Sequence, residues 1–236
     1  MNEVKKQGFT LLELLIVISI IAILSIALVF MLNPAETLKK ARDAQRISDV
    51  KTLQAALGLM LTSTSSPSLD DTFGNTAGIC LTKGNGTTNI AASKIAYSVV
   101  TAPASCSATL AAADDAAFAG NFSGCSGGTS NIRTGGWVPV NFAALSGGSP
   151  ISNIPTDPTN TVSATPVNSD LVYRYACQNG SSVSRKPAFV FEINATFESQ
   201  AYTVDDDKRS KDGGDNDNMF EVGNSLFLLP KTAATF

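Results

Sequence analysis

Gly8-Phe9-Thr10-Leu11-Leu12-Glu13 opens an apolar run that continues unbroken to Leu32. Of the 24 residues from Phe9 to Leu32, only Glu13 carries a charge. As a helix the run spans about 36 Å, enough to cross the ~30 Å hydrocarbon core of a bilayer with some tilt. Lys5 and Lys6 lie just ahead of it, which places that end on the cytoplasmic side. A carboxylate inside such a segment costs a few kcal/mol, so Glu13 calls for a partner. A secretory signal has an apolar core of roughly 7–15 residues followed by a small-residue cleavage site. Here the core is longer, and the small residue, Gly8, comes before it.

A short polar leader ending in glycine, then Phe9, Thr10-Leu11-Leu12, and Glu13 at the fifth position after the glycine, resembles the class III signal of type IV pilins and type II secretion pseudopilins. The resemblance implies a leader of residues 1–8 removed after Gly8 by a prepilin peptidase, with methylation of the new terminal residue, Phe9. It also implies that Glu13 neutralises the terminal amine of a neighbouring subunit in a filament. An opposite charge within ~4–6 Å offsets the desolvation of a carboxylate, which is the physical sense of that pairing. The plainer alternative is a signal anchor whose Glu13 snorkels to the interface. That alternative leaves Gly8 and Phe9 unexplained.

Beyond the membrane and assembly helix (9–32), Asn33-Pro34-Ala35-Glu36 carries helix-start signals, with Pro34 at the first helical position and Glu36 three residues after Asn33. The expectation is a nearly continuous helix bent at the proline. Over 33–62 the apolar residues Leu38, Ala41, Ile47, Val50, Leu53, Leu57 and Met60 or Leu61 recur at three or four, which predicts an amphipathic helix. Lys39, Lys40, Arg42, Asp43, Arg46, Asp49 and Lys51 are expected on its solvated face. Residues 63–136 are poor in charge and rich in Ala, Gly, Ser and Thr. They read as loops with a short strand at 95–100 and a helix at 108–119. Region 137–236 reads as strands. Phe189, Phe191, Ile193, Ala195 and Phe197 alternate with Val190, Glu192, Asn194 and Thr196, a period of two with one buried face. Leu171 to Cys177 alternates likewise, and shorter runs stand at 137–142, 219–222 and 226–229. The predicted fold class is α+β, a long N-terminal helix packed on an antiparallel sheet head. Pro155-Thr156-Asp157-Pro158 looks like the turn that opens the sheet of major pseudopilins, although the aromatic-glycine pair that usually follows is missing here.

The chain has no histidine, which removes Ser-His-Asp and Cys-His catalysis and His-ligated zinc. A net charge of −3 without a basic patch argues against nucleic acid as a partner, other than as an uptake substrate. Cys80, Cys106, Cys125 and Cys177 form no Cys-x-x-Cys. Outside a membrane they suit one or two disulfides, with free buried thiols as the alternative and the connectivity open. One polar constellation is dense: Asp205-Asp206-Asp207 and then Asp212-Gly213-Gly214-Asp215-Asn216-Asp217-Asn218. Alternating oxygen ligands with glycines suit Ca²⁺, and the resemblance implies a calcium site in this loop. Asp212, Asp215 and Asp217 are the first candidates, with Asp205 or Asp207 completing the shell. The competing reading is a solvated acidic hairpin loop.

Together these features point to a non-enzymatic, pilin-like filament subunit, single-pass in the bacterial cytoplasmic membrane with its head outside. Its implied partners are membrane lipid before assembly, prepilin peptidase, an inner-membrane assembly platform and other pilin-like subunits. The filament is either a type II secretion pseudopilus or a type IV pilus. The rival is a membrane-anchored binding domain or enzyme that uses the helix only as a tether.

Overall fold

A computed structural model describes residues 8–64, 67–70, 79–80, 94–104, 108–109, 121–122, 124–133, 135–179 and 189–229. The chain divides into two units, Met1–Lys39 and Lys40–Phe236.

The first unit is built on α1, Leu11–Leu32. Among the described residues its segment Leu11–Val29 is the one stretch of helix long and apolar enough to cross a membrane. The helix does not bend into the next one but stops for a single residue. Asn33 is left-handed, at φ 38° and ψ 72°, and α2 (Pro34–Ser63) starts directly after it. Proline disfavours helical backbone in the residue before it, and asparagine tolerates the left-handed region better than most side chains. The carbonyl of Asn33 then accepts Glu36 N at 3.1 Å and Thr37 N at 3.2 Å, which starts the new helix.

The second unit is a five-stranded sheet with α2 packed against one face. In the order β4-β1-β5-β6-β7 the strands are Gly124–Gly127, Lys94–Tyr97, Arg174–Gln178, Val190–Ala195 and Phe220–Gly223. Ala108–Thr109 (β2) and Asn121–Phe122 (β3) form a separate pair. The sheet is mixed rather than antiparallel, because β1 and β4 run parallel while the other pairings are antiparallel. Of the parallel pair, β1 overlaps the short strand expected at 95–100, and β4 comes from sequence expected to be loop. The helix expected at 108–119 begins instead as β2, and residues 110–119 lie outside the described set.

Two expected strands are not strands. Pro139 has no N–H to donate, and the backbone at 138–142 turns back on itself, with Val140 N on Val138 O and Phe142 N on Val140 O. At 226–229 the N–H groups of Leu228 and Leu229 go to the Glu192 carboxylate instead of a ladder.

The buried stripe of α2 is Asp43, Arg46, Val50, Leu53, Ala56, Leu57 and Met60. Its apolar part meets Tyr173, Tyr175, Phe191, Ile193, Ala195 and Val222 from one sheet face, with Trp137. The opposite face is covered too. Ile95, Tyr97, Val172, Ala176 and Val190 pack there under Met219, Leu228 and Leu229. All six residues of β6 are therefore buried, not one face of them. Its inward polar positions pair in register, Arg174 opposite Asn194 and Asn194 opposite Glu221, and all three are sealed from solvent.

Candidate functional site

The residues expected to be processed sit where the backbone is open. Gly8, Phe9 and Thr10 are exposed and precede the first helical residue, Leu11, so the Gly8–Phe9 bond lies outside hydrogen-bonded structure. Phe9 itself is 86% exposed. Thr10 caps α1 from extended backbone, and the cap is reciprocal. Its Oγ1 accepts Glu13 N at 3.3 Å, while Glu13 Oε2 accepts both Thr10 N and Thr10 Oγ1 at 2.8 Å. Glu13 thus folds back to the very start of its helix, where the positive end of the macrodipole favours a carboxylate. Sequence reading assigned Glu13 a role but overlooked Thr10. The signal was present as Thr-x-x-Glu ahead of an apolar run.

In the head, the polar residues converge at two places. At the first, Arg46 grips Asp157 of the Pro-x-Asp-Pro turn in a bidentate pair, at 2.7 and 3.0 Å. The same guanidinium donates to Asp43 Oδ1 (2.7 Å), Glu198 Oε1 (2.8 Å) and Thr159 Oγ1 (3.2 Å). Arg42 holds Glu198 from the other side at 2.6 and 2.7 Å. Asp43 also accepts the backbone N–H groups of Glu198 and Ser199, and Asp157 those of Thr159 and Asn160. The expectation that Asp43 and Arg46 lie on a solvated face is corrected: neither is exposed at all. Each continues the three-and-four spacing of the buried stripe, and each has its hydrogen bonds met by the turn. The hydrogen bond from Arg42, with those from Arg46, pulls the Glu198 carboxyl down to about 2. Burial works against the charge on Arg46, but its bonds to the carboxylates outweigh that and hold its pKa above the usual guanidinium range.

The second place is the acidic loop. Asp212 accepts Gly214 N on Oδ1 at 2.9 Å and Glu221 N on Oδ2 at 2.7 Å. Glu221 accepts Asn194 Nδ2 on Oε1 and Asn216 N on Oε2, at 3.3 and 3.0 Å. Burial raises the Glu221 carboxyl to about 7, with Asp212 and Asp215 adding repulsion, and burial beside Glu221 raises Glu192 as well. Asp206 and Asp207 are paired with Lys208, Lys211 and Arg209. Asp205 and Asp217 are exposed. Among the described residues no three His, Cys, Asp or Glu side chains are placed to hold one metal ion. Ca²⁺ takes six to eight oxygens converging on a point. As placed, the four candidate aspartates do not fit such a cage, since the oxygens of Asp212 are turned to backbone N–H groups.

Cys80 and Cys177 are joined in a disulfide that ties residue 80 to β5. Cys125 is disulfide-bonded as well, and Cys106 lies outside the described residues. The described cysteines include no free thiol.

Comparison with curated proteins and with solved structures gives no match. A family model does match, the prokaryotic N-terminal methylation motif, over residues 4–29. That span contains Gly8, Phe9, the Thr10–Glu13 cap and most of α1. The chain therefore carries, on its apolar N-terminal helix, the class III signal peptide of type IV pilins and pseudopilins.

Proposed function

We propose that this pilin-like protein is a structural filament subunit rather than a catalyst. The precursor is held in the cytoplasmic membrane by α1, with its N-terminus in the cytoplasm and its head outside. Prepilin peptidase cuts between Gly8 and Phe9 and methylates the new amine of Phe9. Glu13 then pairs with the terminal amine of a neighbouring subunit as the α1 helices pack into a filament. The observation that carries this reading is the exposed, non-helical Gly8–Phe9 bond just ahead of the Thr10–Glu13 cap, inside the matched motif. The Pro155–Pro158 turn, locked on Arg46, favours a type II secretion pseudopilus. The disulfide-tied head favours a type IV pilus as the second reading.

Mass spectrometry of the mature N-terminus tests the processing, with an N-methylated Phe9 expected. A retained leader, or a cut beyond α1, refutes it. Glu13→Ala separates a filament subunit from a tethered domain. The variant of a subunit reaches the membrane and fails to assemble, whereas a tethered domain keeps its function.

A further inference from the structure

The loop that best resembles a cation site is already closed by the protein's own donors. Among the described residues β7 is the outermost strand on its side of the sheet, paired with β6 along one edge. An unpaired strand edge presents free N–H and C=O groups and invites pairing with another chain. The Glu221 N–H on that strand is instead taken by Asp212 Oδ2 at 2.7 Å. The approach is close enough that a β-carbon at Gly214 would collide with the Glu221 carboxylate, which is why the loop carries glycine there. Gly213 reverses the chain at φ 89°. Asn216 then donates its N–H to Glu221, and its own side chain and carbonyl accept Asn218 N and Met219 N. From the other end, Asn224 Oδ1 accepts Phe191 N at 2.7 Å and its Nδ2 donates to Phe189 O at 2.9 Å, closing the far corner of β7 on β6.

We propose that the segment from Asp212 to Met219 is a cation-independent cap on the open edge of the sheet, in which Asp212 occupies the hydrogen-bonding position that an added strand would need at β7. Asp212, the first of the aspartates that read as calcium ligands, is spent on the backbone N–H groups of Gly214 and Glu221, and the Glu221 donor is withheld from strand addition on this side.

Hydrogen exchange of the full chain in detergent micelles tests this, with the Glu221 amide as the reporter. In the wild type its exchange is expected to be the same in calcium chloride and in EDTA. Asp212→Ala is expected to speed exchange at Glu221 at least about tenfold, the loss of a charge-assisted bond, with the amides of β5 and β6 unchanged. Should Asp212→Ala fail to fold, Asp212→Asn keeps the shape of the side chain and loses one acceptor, and a smaller acceleration at the same amide is expected. Calcium-dependent slowing at Glu221, or a calcium-dependent rise in melting temperature that either variant abolishes, overturns the proposal. So does an unchanged Glu221 exchange rate in the variants.

Discussion

Arg46→Met is the sharpest test of how the head is held to α2. The methionine keeps the apolar stem of the side chain but removes the donors of five hydrogen bonds, two to Asp157 and one each to Asp43, Glu198 and Thr159. Glu198 retains Arg42, and Asp43 and Asp157 retain backbone N–H donors. What is lost is the cation between two carboxylates that are at most 3% exposed. Removing one partner of a buried ion pair costs about 3–5 kcal/mol, chiefly by stranding the other charge. Against a total stability of roughly 5–15 kcal/mol this is a large fraction. For a unit of this size it lowers the melting temperature by about 6–20 °C.

The chain carries its own probe. Trp137 is its single tryptophan, is 1% exposed, and donates Nε1 to Pro155 O, two residues from Asp157. Thermal unfolding in micelles followed by its fluorescence therefore reads the turn that Arg46 holds. A second variant, Arg46→Met with Asp157→Asn and Asp43→Asn, is expected to recover part of the loss because no uncompensated charge is left buried. A single variant that melts within about 2 °C of the wild type refutes the reasoning, since the network is then no more than a surface pairing.

Three further outcomes follow from the same geometry. Thr10→Ala removes the Oγ1 half of the cap on α1, leaving the backbone N–H of residue 10 on Glu13, and is expected to cost about 1 kcal/mol of helix stability there, seen as faster amide exchange over Leu11–Leu14 in micelles. Because the Glu198 carboxyl is held down near 2, its contribution is complete above its unfolded pKa near 4.5 and disappears as pH falls through about 2. Acid titration of stability is expected to show a loss of at most about 3 kcal/mol in that window, reduced in Arg42→Met. The Cys80–Cys177 bond closes a span of 97 residues, so Cys80→Ser with Cys177→Ser is expected to cost roughly 4 kcal/mol. Non-reducing peptide mapping should recover those two cysteines linked, and any other partner for Cys177 refutes the pairing.

Local sequence was enough for whatever depends on one stretch of chain and its solvent. The run from Leu11 to Leu32 has no polar face to offer water, so only a membrane or a helical assembly can take it. The methylation motif over residues 4–29 rests on local spacing and needs no fold to be read. The period of α2 and the alternation of β5 and β6 likewise located the elements that bury them.

Tertiary structure decided the fate of the polar residues, because whether a charge can be buried depends on a partner at any distance along the chain. Arg46 and Asp43 read as solvated by composition, and they are buried because Asp157 and the 198–199 turn, more than 100 residues on, supply acceptors and donors. Glu192 and Asn194 read as the outer face of β6. They are sealed because Leu228, Leu229 and the 216–219 turn close over them. The acidic loop shows the same dependence from the other side. Its aspartates suggested a cation, but Asp212 faces the Glu221 N–H, and no spacing rule could indicate that an edge strand would lie beside it. The disulfide partner of Cys177 was open among three cysteines until the chain brought Cys80 within 4.6 Å of it, Cα to Cα. Periodicity reports the average surroundings of a segment, whereas the partner of a single polar group is a property of the folded chain.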